Sequence, residues 1–264
     1  MSELSPPSRF TVLGVPISAV NMTRAVDQIG GWIKGGEPRY VCAIDVHNVM
    51  RAQDMPQHMQ ALLGSAMNTP DGQPVATLGR LLGHDVSRVC GPDLLSAVCE
   101  RSIEEGWRHY FYGGADGVAE DLVVRLGERY PGLIVAGIDC PPFRALSADE
   151  KQAAVDRIRD ARADIVWVGL GCPKQELWMQ EHVSKLGHGV LIGIGAAFDF
   201  HTERVHRAPP WMRNNGLEWL HRLASEPRRL WRRYLVLAPK FVGRCVAEHG
   251  MSIARAKSVG YRNS

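Results

Sequence analysis

Between residues 39 and 200, short and almost unbroken apolar runs alternate with longer segments whose apolar positions recur every three or four residues. The short runs are "YVCAID" (40–45), "SAMNTPDG" (65–72), "HYFYGG" (109–114), "LIVAGI" (133–138), "DIVWVGLG" (164–171) and "GVLIGIGAAF" (189–198). Helical patterns follow the first five of them. One begins near His47, another is "PVATLGRLLG", and a third carries Val118, Leu122 and Leu126 at helical spacing. The fourth opens with Ser147 and Glu150 in capping-box register, and the fifth starts at Lys174. A strand that is apolar on both faces is covered on both sides. The alternation therefore predicts an α/β fold, a Rossmann-like parallel sheet covered by helices. Ligands of such sheets sit at the C-terminal strand edges. "TPDG", "YGG" and "GLGCPKQE" all fall at such edges, on one rim.

After about residue 200 the pattern changes to Arg- and Trp-rich helices, which divides the chain into a body, 1–200, and a helical appendage, 201–264. Charge makes the same division. The appendage holds thirteen Lys and Arg against four Asp and Glu, a balance of +9, whereas the body holds eighteen against twenty-four, a balance of −6. That polarity predicts an anionic partner for the appendage. Trp211, Trp219, Trp231 and Tyr234 interleave with its arginines, a combination suited to a membrane interface. Nucleic acid is disfavoured, because the acidic body offers no extended basic groove. No run approaches a spanning helix, and "MSELSPPSRF" reads as a short disordered lead rather than a signal peptide. The six scattered cysteines include no CxxC, which fits reduced thiols in the cytoplasm and no metal site.

Each motif has a plain explanation beside a functional one. Thr69-Pro70-Asp71-Gly72 suits a β-turn, and equally holds a carboxylate at the rim as general base. Gly113-Gly114 suits a tight strand-to-helix turn, and equally brings backbone N–H groups near a nucleotide phosphate. It lacks the third glycine of a dinucleotide fingerprint, which weakens an NAD-dependent oxidoreductase, and the chain has no P-loop. Gly169 and Gly171 permit close backbone approach before Lys174-Gln175-Glu176. A first-turn Glu complements the helix dipole, whereas an amide there suits a hydroxyl-rich ligand.

The blocks "TPDGQPVA", "RVCGPDLL", "GLGCPKQELWM", "GIGAAFDF" and "RAPPWMRNNGLEWLHRLASEPRRLWRRYL", in this order, resemble the WecG/TagA/CpsF glycosyltransferases, glycosyltransferase family 26, over roughly residues 10–240. The resemblance implies an inverting bacterial enzyme. It would move a sugar from a nucleotide diphosphate donor to a polyprenyl-diphosphate-linked glycan, without metal or other cofactor, in exopolysaccharide or cell-wall polymer synthesis. It implies a cytoplasmic protein held peripherally at the inner face of the membrane; a homo-oligomer is compatible with it. Carried over by motif, Asp71 resembles the catalytic base, Gln175 the pocket amide and Arg88 the pocket arginine. Arg222, Arg229 and Arg232 resemble the appendage arginines that engage diphosphate. Thr69, Gly169, Gly171, Lys174, Glu176 and Arg207 join the expected substrate-binding set, and Gly113 and Gly114 the nucleotide-binding one.

One departure matters. Where many relatives have Thr-x-Asn, this chain has Ala43-Ile44-Asp45. Asp45 enters the substrate-binding set and is a second carboxylate able to compete with Asp71 for the role of base. The alternative function is a non-catalytic nucleotide-sugar or lipid-diphosphate binding protein of a polysaccharide assembly complex.

Overall fold

The computed structural model describes residues 5–195 and 197–260. A hairpin of β1 (Arg9–Val12) and β2 (Val15–Ser18) leads into α1 (Met22–Gly35), whose first turn is capped by the Asn21 side chain. Then follow β3 (Arg39–Ile44), α2 (Val46–Asp54), α3 (Pro56–Leu63), β4 (Met67–Pro70), α4 (Gln73–Leu81) and α5 (Gly91–Glu105). The second half of the sheet is built from β5 (Arg108–Gly113), α6 (Val118–Arg129), β6 (Ile134–Asp139), α7 (Ala148–Asp160), β7 (Ile165–Gly169), α8 (Lys174–Leu186) and β8 (Val190–Gly193). The chain closes with α9 (Ala197–His201), α10 (Pro210–Asn214), α11 (Glu218–Ser225), α12 (Pro227–Trp231), a π-helical segment (Arg232–Leu237) and α13 (Ala238–Gly260).

Six strands form one parallel sheet in the order β4-β3-β8-β7-β5-β6. All six expected strands are present, and the Ser147–Glu150 capping box forms. The lead differs from its expectation: its first four residues lie outside the described ones, but Arg9 and Phe10 already pair in the hairpin, where Phe10 is buried. Alternate side chains of one strand feed different faces, as period-2 geometry requires. In β7, Val166 and Val168 join a core with the hairpin, α2, α7 and α8, while Ile165 and Trp167 join one with α1, α5, α6 and α9.

The first of these cores also takes in Phe241 and Cys245 of α13. Phe241 is 3% exposed. Phe241→Ala should therefore destabilise the whole chain, not only the end of it, by about 3 kcal/mol. The check is a single shifted urea transition; an unchanged midpoint would mean that α13 rests on the sheet layer without stabilising it.

Candidate active site

The C-terminal ends of β4, β3, β8 and β7 open into a cavity of about 680 Å³, roofed by α11 to α13. The body lines it with Asp45, Asp71, Arg88, Gly171 and Gln175, the loop after α9 with Arg207, and the later helices with Glu218, Trp219, Arg222, Arg229, Arg233 and Tyr234. Location at the carboxyl edge follows from the parallel topology, since every strand delivers its following loop to the same side.

Two carboxylates lie side by side on the floor. Ile44 and Pro70 are the last register pair of β3 and β4, so Asp45 and Asp71 are the next residues on neighbouring strands. Asp45 caps α2, accepting from the Asn48 N–H at 3.0 Å, and its other oxygen pairs with the Arg233 guanidinium. Burial favours the neutral acid, but Arg233 and the cap outweigh it and hold the Asp45 carboxyl below the usual range. Asp71 sits in the opposite situation. Burial first, and then the charge of Asp45, push it up to about 6, with Arg88 acting in opposition. Arg88 donates from Nε to the Asp71 carbonyl at 2.7 Å and from Nη2 to Glu218 at 2.7 Å, and reaches the Asp71 carboxylate only at 3.9 Å. Asp71 therefore keeps an ionisable carboxylate close to neutrality, with its backbone clamped.

Gln175 is buried and ties the cavity wall together. Its Oε1 accepts from the N–H groups of Gly171 at 3.2 Å and Gly195 at 3.0 Å, and its Nε2 donates to Glu176 at 2.9 Å. The Gly171 N–H at the glycine turn is thus occupied from within the protein. Glu176 is fully buried beneath it and also accepts from Asn48 at 3.3 Å. Desolvation pushes its carboxyl up to about 7. Asn48 in turn donates to the Ala43 carbonyl, so one network joins the loops after β3, β7 and β8.

The other expected site residues divide. Arg207 lines the cavity but is held in a two-point contact with Asp93, at 2.6 and 3.3 Å. Arg222 lies over the Phe200 ring at 5.2 Å; its Nε is buried without a partner, and among the described residues no carboxylate pairs with it. Arg229 lines the cavity and pairs with Glu226 at 2.6 Å. Arg232 is exposed against the Trp231 ring, outside the cavity, and it is Arg233 that reaches Asp45. Lys174 is exposed, and Thr69 is buried beneath the floor with its hydroxyl unpartnered. Gly113 and Gly169 pack on each other: a Cβ at Gly113 would meet the Gly169 backbone at 2.9 Å, and one at Gly169 would meet Phe198 at 2.9 Å. The Gly114 N–H donates to the Gly169 carbonyl at 3.1 Å. These glycines have a packing reason, and the cavity does not touch them.

Arg233 and Glu218 are functional candidates that the motifs did not single out. The chain leaves helical geometry at Glu226, between α11 and α12, so no helical register carried from Arg222 could have favoured Arg233 over Arg232. Among the described residues, one set of metal-compatible donors converges: His58, Cys172 and Glu176, within 4.8 Å of one another. His58 lies 3.7 Å from Glu176 and 3.9 Å from Cys172, and burial keeps its imidazole neutral, down at about 4. Cys172 and Glu176 are four residues apart, but His58 lies 114 residues from Cys172, so the chain shows no three-ligand spacing to read.

Comparison with known proteins shows the family. The sequence profile described as Glycosyl transferase WecG/TagA/CpsF family matches residues 10–254. A relative from Bacillus spizizenii, the N-acetylglucosaminyldiphosphoundecaprenol N-acetyl-beta-D-mannosaminyltransferase, is 30% identical over 210 residues, covering 79% of each chain. The matched span runs from the first hairpin into α13 and so takes in every residue of the cavity. The chain is a glycosyltransferase and belongs to the WecG/TagA/CpsF family.

Proposed function

We propose that the protein is an inverting glycosyltransferase that moves a hexosyl or N-acetylhexosaminyl group from a nucleotide diphosphate donor to a polyprenyl-diphosphate-linked glycan. The relative's acceptor is an N-acetylglucosaminyl diphosphoundecaprenol, which makes that lipid-linked sugar the first acceptor to try. The observation that carries the reading is one carboxylate of raised pKa, Asp71, in the same cavity as Arg88, Arg222, Arg229 and Arg233. In the reaction, Asp71 takes the proton of the acceptor hydroxyl as its oxygen bonds to the anomeric carbon. The bond from that carbon to the donor diphosphate breaks on the opposite face, its electron pair leaves with the nucleoside diphosphate, and the guanidinium groups stabilise the negative charge gained there. Asp45, already ionised and paired, is the weaker choice for the base. Gln175 then acts on the substrate through the loops it holds, with one amide hydrogen left to reach a sugar hydroxyl.

The later helices fit a membrane surface. Trp211, Trp219, Leu220, Trp231, Leu235, Val242 and Val246 are all exposed there, Trp211 by 61%. Among the described residues no helix is long and apolar enough to cross a membrane. Peripheral docking through residues 201–264, at the inner face of the cytoplasmic membrane, would carry the cavity to its lipid-linked acceptor. The alternative of a diphosphate-binding protein without catalysis falls away, because the chain is a glycosyltransferase.

The test is transfer of radiolabelled sugar from a panel of UDP- and GDP-sugars to lipid-linked acceptors in membranes. No transfer from any donor to any of these acceptors, with nucleotide binding retained, would overturn the proposed donor and acceptor classes. With arginines meeting the diphosphate charge, transfer should survive EDTA at close to its full rate. A complete loss that manganese or magnesium restores would overturn the metal-free mechanism.

A further inference from the structure

Asp45 and Asp71 end adjacent parallel strands at matched positions, and their loops pack closely: a Cβ added to Gly72 would lie 3.3 Å from the Asp45 Cβ. Like charges so placed oppose each other unless a cation intervenes. The cation is Arg233, three-quarters buried, delivered by the π-helical segment between α12 and α13. It bonds Asp45 and leaves Asp71 without a close partner of its own. Single π-helical turns inside α-helices concentrate at functional sites, because they turn one side chain out of the regular register.

We propose that Asp45 is an internal stand-in for the substrate diphosphate: it holds Arg233 over the empty cavity, and the incoming donor takes that guanidinium from it. The proposal rests on the cavity being a diphosphate site, as in the function above. On exchange, Arg233 turns to the diphosphate and Asp45 is left charged and unpaired beside Asp71. The groups facing Asp71 are Asp45 from the end of β3, Arg88 and the Cys90 thiol from the loop before α5, Glu218 of α11 and Arg233. Glu218 is already committed to Arg88. Asp45 is thus the negative neighbour whose compensation changes when the site fills, and the released charge raises the proton affinity of Asp71 as substrate arrives.

Two substitutions give opposite signs. Asp45→Asn keeps the helix cap, because Asn caps as well as Asp, and removes the competitor for Arg233. UDP, GDP or inorganic pyrophosphate, titrated calorimetrically, should then bind more tightly, by about tenfold for one released charge-assisted contact. Arg233→Gln should weaken the same ligands by a similar factor, and Arg233→Lys should recover part of the loss. The acid limb of kcat/KM should move to lower pH in Asp45→Asn, by about half a unit or more, and to higher pH in Arg233→Gln. Weaker binding in both Asp45→Asn and Arg233→Gln, with circular dichroism and melting unchanged, would make the pair a structural tie and overturn the exchange. Retained activity in Asp71→Asn with the opposite-signed binding shifts intact would instead sink only the assignment of the base.

Discussion

Asp71→Asn is expected to lower turnover by about 100-fold or more while leaving the fold intact, because the amide is isosteric and only the proton acceptor is lost. Asp71 is clamped through its main chain, by Arg88 at its carbonyl and by its own N–H to the Ile44 carbonyl at 2.9 Å, so the substitution leaves that support in place. The wild-type rate should fall as pH drops through about 6, since burial and Asp45 raise the acid to that range and the base works only when ionised. Asp45→Asn should remain active. The comparison is decisive in both directions: near-normal transfer by Asp71→Asn together with an inactive Asp45→Asn would move the base one strand over.

The second large effect concerns the arginines of residues 201–264. Replacing Arg222, Arg229 and Arg232 together by Gln should reduce both sugar transfer and liposome flotation, but the structure separates the contributions. Arg222 and Arg229 line the cavity, so their single substitutions should act on transfer. Arg232 faces solvent beside Trp231, so Arg232→Gln should act on flotation. Each basic side chain near an anionic leaflet contributes about 1 kcal/mol, and the exposed tryptophans add headgroup-level anchoring. Full activity and parental flotation in the triple variant would reduce the segment to a solvated helical face. Truncation at residue 201 is a poor substitute for these variants. Phe241 and Cys245 are buried in the core that holds the β1–β2 hairpin, and Glu218 supports Arg88, so removing the segment uncovers apolar surface and dismantles the site together.

Some residues declared their structural role in the chain itself. The apolar runs of β3 to β8 and the Ser147–Glu150 cap are local patterns, and each formed where its period required. The hairpin and α1 were less legible. Arg9–Ser18 contains a Pro and a Gly within ten residues, and α1 carries Gly30 and Gly31 in its middle, where glycine weakens the helical signal. Gly113 and Gly169 read equally well as phosphate-binding or packing positions, and only their mutual contact and the Phe198 ring distinguish the two.

What the sequence determined by itself was the layer order: alternating buried strands and amphipathic helices, a rim bearing Asp71, Arg88 and Gln175, and a basic, tryptophan-rich end. Those are properties of period, composition and motif, all carried within a few neighbouring residues. What only the tertiary structure decided was which groups share a charge environment. Asp45 and Asp71 became unequal because Arg233, 188 residues away along the chain from Asp45, reaches one and not the other. His58, Cys172 and Glu176 converged from α3, the turn after β7 and α8. A proton affinity depends on burial and on charges a few ångströms away in space, and a linear pattern fixes neither until the chain has folded over itself.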